Sequence, residues 1–100
     1  MLFMVMSNPR PERPSDIRDG QTGFWDWLEP LKRRGICKAC YVKVGRGLFM
    51  VLELDTHEAL HRYLTEWANR VPAEFRVDPL IDPAHQERIA RREGGSAQTA

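Results

Sequence analysis

A chain of 100 residues, 42% hydrophobic and 29% charged, fits one small globular domain and has no room for a second. Fifteen Lys and Arg against fourteen Asp and Glu leave a net charge of +1. That is too balanced for the positive field that non-specific nucleic-acid binding requires, so no nucleic-acid partner is expected. The longest apolar runs, Met1–Met6 and Leu48–Leu52, fall far short of the roughly 20 residues that cross a bilayer. The first of them leads into Ser7-Asn8-Pro9 without the basic start or small-residue cleavage site of a secretion signal. A soluble, cytoplasmic protein with no membrane partner is the expectation. The core of so short a chain is modest, which makes assembly with further copies a natural remedy.

Leu2–Met6 reads as a first strand, apolar at successive positions and so buried on both faces. The prolines between Asn8 and Ser15 suit neither a helix interior nor a strand ladder and predict an extended loop. From Ser15 to Arg34, Phe24, Trp27, Leu28 and Leu31 recur at the spacings of one helix face. Pro30 lacks a donor and disfavours helical geometry at Glu29, predicting a kink or a break there, with Gly35 as the C-terminal stop. Ile36–Val44 and Leu48–Leu54 read as two strands joined by the Gly45-Arg46-Gly47 turn.

Asp55 or Thr56 caps a second helix, with Glu58 at the capping-box position three residues after Asp55. Leu60, Tyr63, Leu64 and Trp67 form its apolar stripe, and Val71-Pro72 ends it. Glu74–Asp78 alternates as a half-buried strand, which Pro79 places at a sheet edge or terminates. Beyond Asp82-Pro83 the sequence predicts one or two helical turns at most and a mobile end, dividing the chain into a domain over 1–83 and a tail over 84–100.

The order βαββαβ is that of a ferredoxin-like α+β fold, with a four-stranded antiparallel sheet and two helices on one face. Right-handed crossovers put the first and third strands in the middle. Both are apolar on both faces and the helices cover only one, so a second copy of the sheet is the expected cover. The predicted assembly is a face-to-face homodimer, a dimeric α/β barrel, or a larger ring built from it.

Three stretches carry a resemblance to a known family: Met1-Leu2-Phe3, Glu53-Leu54-Asp55-Thr56-His57-Glu58-Ala59-Leu60-His61, and Val77-Asp78-Pro79-Leu80. They are similar to the start, the acidic strand end with its capped helix and Leu-His pair, and the closing Val-x-Pro-Leu of the muconolactone isomerase family, within the dimeric α/β-barrel superfamily. The resemblance implies a cofactor-free, oligomeric isomerase that moves a proton between two carbons of an unsaturated lactone. The family's polar first-helix pattern, Trp-rich second strand and Ser-Ser-Ile ending are not found here.

His57-Glu58-Ala59-Leu60-His61 also matches HExxH, in which two His at i and i+4 hold zinc and the Glu activates water. Such a site needs a third ligand, for which only His85 or Glu53 is evident, and Glu58 already has a capping explanation; no metal is expected. Without metal, the His61 imidazole suits proton transfer at neutral pH, unless it is a packing residue at the helix edge. Glu53 interrupts an apolar central strand and needs a partner or a raised pKa; a structural ion pair is its plainer role. The reading is an isomerase-like enzyme acting on a small unsaturated lactone or aromatic-derived acid. In it His61 and Glu53 shuttle the proton, Tyr41 and Lys43 orient the substrate carboxylate, and Trp27 and His57 line the site. The alternatives are a non-catalytic oligomeric small-molecule-binding module on the same fold and an HExxH zinc hydrolase. Cys37 and Cys40 have C-x-x-C spacing, but residues three apart on a strand point to opposite faces, so reduced thiols are expected rather than a redox couple or zinc knuckle.

Overall fold

The computed structural model describes residues 1–10 and 14–99. In chain order the elements are β1 (Leu2–Pro9), α1 (Pro14–Arg33), β2 (Cys37–Val42), β3 (Leu48–Glu53), α2 (His57–Arg70), β4 (Ala73–Leu80) and α3 (Pro83–Thr99). The strands form one antiparallel sheet in the order β2-β3-β1-β4, so β1 and β3 are central, as their unbroken apolar runs require. This is the ferredoxin-like α+β arrangement.

One face of the sheet carries Phe3, Val5, Met50 and Leu52, all buried under the apolar stripes of α1 and α2. Phe24, Leu28 and Leu31 come from α1, and Leu60, Tyr63 and Trp67 from α2. Phe24 and Phe75 meet the Trp67 ring edge-on at 5.3 and 4.9 Å between centroids, an arrangement suited to the aromatic quadrupole. The opposite face carries Leu2, Met4, Met6, Phe49 and Val51. The register sets Met4 against Val51 and Met6 against Phe49, forming an apolar band over the sheet centre that no helix covers among the described residues.

Several boundaries depart from the sequence reading. The predicted loop over 8–15 is shortened because β1 runs to Pro9, pairing with Ala73, and the Arg10 N–H then donates to the Pro72 carbonyl; residues 11–13 of that loop lie outside the described residues. Helix α1 continues unbroken through Pro30 to Arg33. The carbonyl left without a helical partner is that of Asp26, on the exposed side, while four apolar residues hold the other side down. Thr56 is the cap of α2, its hydroxyl accepting from the Ala59 N–H at 3.0 Å, which puts Glu58 in the first turn and leaves no capping box with Asp55. Strand β4 passes through Pro79 to Leu80, tolerated because β4 is an edge.

Two further departures come from turn chemistry. Strand β2 is shorter than predicted and its register shifts between Cys37 and Ala39: Cys37 faces Leu52 whereas Ala39 faces Val51. The tail holds a 17-residue helix where one or two turns were expected. Asp82-Pro83 acts there as a start signal, with the Asp82 carboxylate accepting the Ala84 N–H at 2.7 Å and Pro83 opening the first turn.

Candidate functional site

The β2–β3 hairpin determines the shape of one of two hollows. Gly45 and Gly47 have φ of +99° and +112°, a backbone that only glycine adopts without strain, and the Lys43 N–H closes the turn on the Gly47 carbonyl at 2.8 Å. A Cβ on Gly47 would stand 2.5 Å from the Ser7 carbonyl oxygen, so the missing side chain lets the hairpin lie against the end of β1. The buried Ser7 hydroxyl fastens it there by accepting the Leu48 N–H at 2.9 Å. The result is a hollow of about 340 Å³ between this hairpin, the end of β1 and the two packed helices, within the range of small-molecule sites.

Aromatic surface from Phe24, Trp25 and Trp67 lines one side of the hollow, and the hairpin presents Lys43 and Arg46 at the other. The Lys43 ammonium donates to the Asn8 side-chain oxygen at 2.7 Å, which spends one of its three N–H donors and fixes its position. Trp67 is fully buried, and its indole N–H has no hydrogen-bond partner among the described residues. Trp27 is different: its indole N–H donates to Glu66 at 3.1 Å and the Arg70 guanidinium lies 5.7 Å over its ring. The site therefore combines an apolar bed with a cationic head at its rim, while the Trp67 indole N–H is closed off from solvent.

Of the residues expected from sequence, Lys43 lines this hollow and Trp27 lies in the core beside it, against Phe24. Glu53 stands at the other end of β3 and borders a second, more polar hollow of about 430 Å³ with Arg34, Arg62 and Tyr63; its carboxylate lies 3.7 Å from the Met1 amino group. His57 is exposed at the start of α2, its ring 5.8 Å from that of Phe3, and His61 is exposed one turn further and lines neither hollow. Tyr41 is 68% exposed on the uncovered face of the sheet, its ring 6.4 Å from Phe49. No group of three metal-ligating side chains forms among the described residues, so neither His85 nor Glu53 completes a set with His57 and His61. Sequence reasoning missed Trp67 and Arg46 as site residues, reading one as core and the other as a turn.

The topology defines a ferredoxin-like α+β fold. The chain superimposes on 5-chloro-2-hydroxyhydroquinone dehydrochlorinase (TftG) from Burkholderia phenoliruptrix AC1100, solved with 2,5-dihydroxybenzoquinone, at a TM-score of 0.67 and 20% identity over 85% of this chain and 98% of that one. It superimposes on muconolactone isomerase at 0.66 and 22% identity, over 82% and 90% of the respective chains. At these identities the shared property is the fold. The chain belongs to the family described as a domain of unknown function, DUF3303, whose model matches residues 1–92. No curated protein matches it in sequence. None of the helices among the described residues is long and apolar enough to cross a membrane.

Proposed function

We propose that this protein is a cofactor-independent enzyme that binds a small unsaturated lactone or aromatic-derived acid in the hollow beneath the β2–β3 hairpin and moves a proton on it. The observation that carries the reading is the aromatic hollow itself, lined by Phe24, Trp25 and Trp67, with Lys43 at its rim. The Lys43 ammonium supplies the charge for a carboxylate or enolate, and the aromatic walls take a planar ring. Both solved neighbours are named for reactions of small cyclic molecules, which supports the substrate class.

The proton carriers proposed are His61 and Glu53. Within one chain neither borders the aromatic hollow. A homodimer is a separate part of the proposal, formed by two uncovered sheet faces meeting over Met4, Met6, Phe49 and Val51. The separation of His61 and Glu53 from the hollow favours a second reading, in which the same hollow binds its ligand without turnover. The test is titration of lactones and hydroxylated aromatic acids against tryptophan fluorescence, followed by turnover of each binder. Saturable quenching that Lys43→Ala weakens tenfold or more supports the site. Turnover that His61→Ala or Glu53→Gln abolishes supports the enzyme; binding without turnover supports the module. No binding across the panel refutes both.

A further inference from the structure

The two cysteines were expected on opposite faces of β2, and the register shift in that strand reverses this. Cys37 is paired with Leu52 and Cys40 with Met50. Both partners point into the helix-covered core, two residues apart on β3, so the extra residue of the bulge brings Cys37 and Cys40 onto the same face as near neighbours. The Cys37 sulfur, 3.4 Å from the Ala39 carbonyl oxygen, is turned along the strand towards Cys40. The register thus places the two thiols as near neighbours on the helix-covered face.

We propose that Cys37 and Cys40 form a peroxide-oxidisable dithiol that closes to an intrachain disulfide across the β2 bulge. The electrostatics divide the roles. The Cys37 thiol is lowered to about 7, first by the hydrogen bond from Cys40, against the effect of burial and with help from a backbone hydrogen bond at Ala39 and the Lys32 ammonium. The Cys40 thiol is pushed up, first by the same hydrogen bond, then by burial and the neighbouring charge on Cys37. Near neutrality Cys37 is thus the thiolate and Cys40 the thiol that resolves it. Cys37 is only 7% exposed, which suits an oxidant hardly larger than water.

The proposed sequence uses hydrogen peroxide as oxidant. The Cys37 thiolate attacks one peroxide oxygen and the O–O bond breaks; hydroxide leaves, takes a proton and departs as water, giving a sulfenic acid on Cys37. The Cys40 sulfur then attacks the Cys37 sulfur, the S–O bond breaks, and the departing hydroxide takes the Cys40 proton as a second water. Two thiols lose two electrons in all and one peroxide becomes two waters. β2 is an edge strand bonded on one side only, so closing the bridge disturbs a single ladder.

The test is intact-mass measurement of the folded wild-type chain after peroxide treatment and removal of excess oxidant. The expected product has lost two hydrogens, runs as the same oligomer without reductant, and returns to the starting mass with dithiothreitol. Cys40→Ser should stop at a sulfenic acid trapped by dimedone, and Cys37→Ser should resist oxidation under the same conditions. The wild-type measurement does not depend on either variant folding. An unchanged mass under peroxide that oxidises free glutathione, independent oxygen additions on both sulfurs, or an interchain bridge would each overturn the proposal.

Discussion

Replacing Gly47 and Gly45 separately by alanine tests how the hairpin is seated. Both residues have positive φ, and forcing a side chain into such backbone costs of order 1–3 kcal/mol at either. The surroundings then separate them. A Cβ on Gly45 meets nothing within 4 Å, whereas one on Gly47 stands 2.5 Å from both the Lys43 Cε and the Ser7 carbonyl oxygen. Lys43 can swing away, but Ser7 is backbone in a central strand and buried, so the clash adds overpacking of about 1–3 kcal/mol. Gly47→Ala should therefore cost roughly 2–6 kcal/mol, a large part of the roughly 5–15 kcal/mol of a typical domain. Urea denaturation followed by tryptophan fluorescence measures it: with m of about 1–3 kcal/mol/M, the Gly47→Ala midpoint should fall roughly 1 M below that of Gly45→Ala. Lys43 should also leave Asn8, weakening any anionic ligand. Equal midpoints for the two variants would refute the idea that close approach to Ser7, rather than turn conformation alone, demands the second glycine.

Other expectations address the face and the thiols. Val51→Glu or Phe49→Glu should halve the solution mass of the assembly, because a carboxylate in a sheet-to-sheet interface loses its water; an unchanged mass by light scattering contradicts the face-to-face model. The thiol pair should leave a pH signature in the stability difference between wild type and Cys37→Ser. The lowered Cys37 thiol contributes stability that is lost as pH falls through about 7, whereas the raised Cys40 thiol contributes stability that is lost above its unfolded value of about 8.5. The advantage should rise between these points and decline beyond them in urea melts across pH.

Where periodicity alone decides structure, the sequence was readable. The stripes Phe24-Trp27-Leu28-Leu31 and Leu60-Tyr63-Trp67 placed both helices, and the unbroken runs in β1 and β3 identified the central strands. Where one local rule competes with packing, it misled. Pro30 was read as a kink or a break, yet it sits on a helix whose other side is pinned by the core; of the two readings offered for Pro79, the sheet edge is the one found. Asp82-Pro83 was read as a stop when the same pair is a good helix start. The parity rule failed for Cys37 and Cys40 because a bulge is invisible to residue spacing. The hollow was legible only through Lys43, since Ser7, Arg46 and Trp67 meet through pairings up to sixty residues apart, and nothing local marks an indole N–H that will lack a partner.

The bulge in β2 also bears on how copies of this chain meet. A sheet edge with a straight row of free backbone donors and acceptors invites another strand, and proteins avoid continuous ribbons by spoiling that row. On one side the β2 bulge kinks the row and the exposed Lys38 beside it adds a charge that an incoming strand would have to bury. On the other, Pro79 removes a donor from β4 and Arg76 and Asp78 pair at 3.2 Å along the same border. With both borders made poor templates, growth of the sheet sideways is discouraged, and the apolar band across its open face is left as the favourable surface for self-association. Such a rule favours closed assemblies of countable size over fibres.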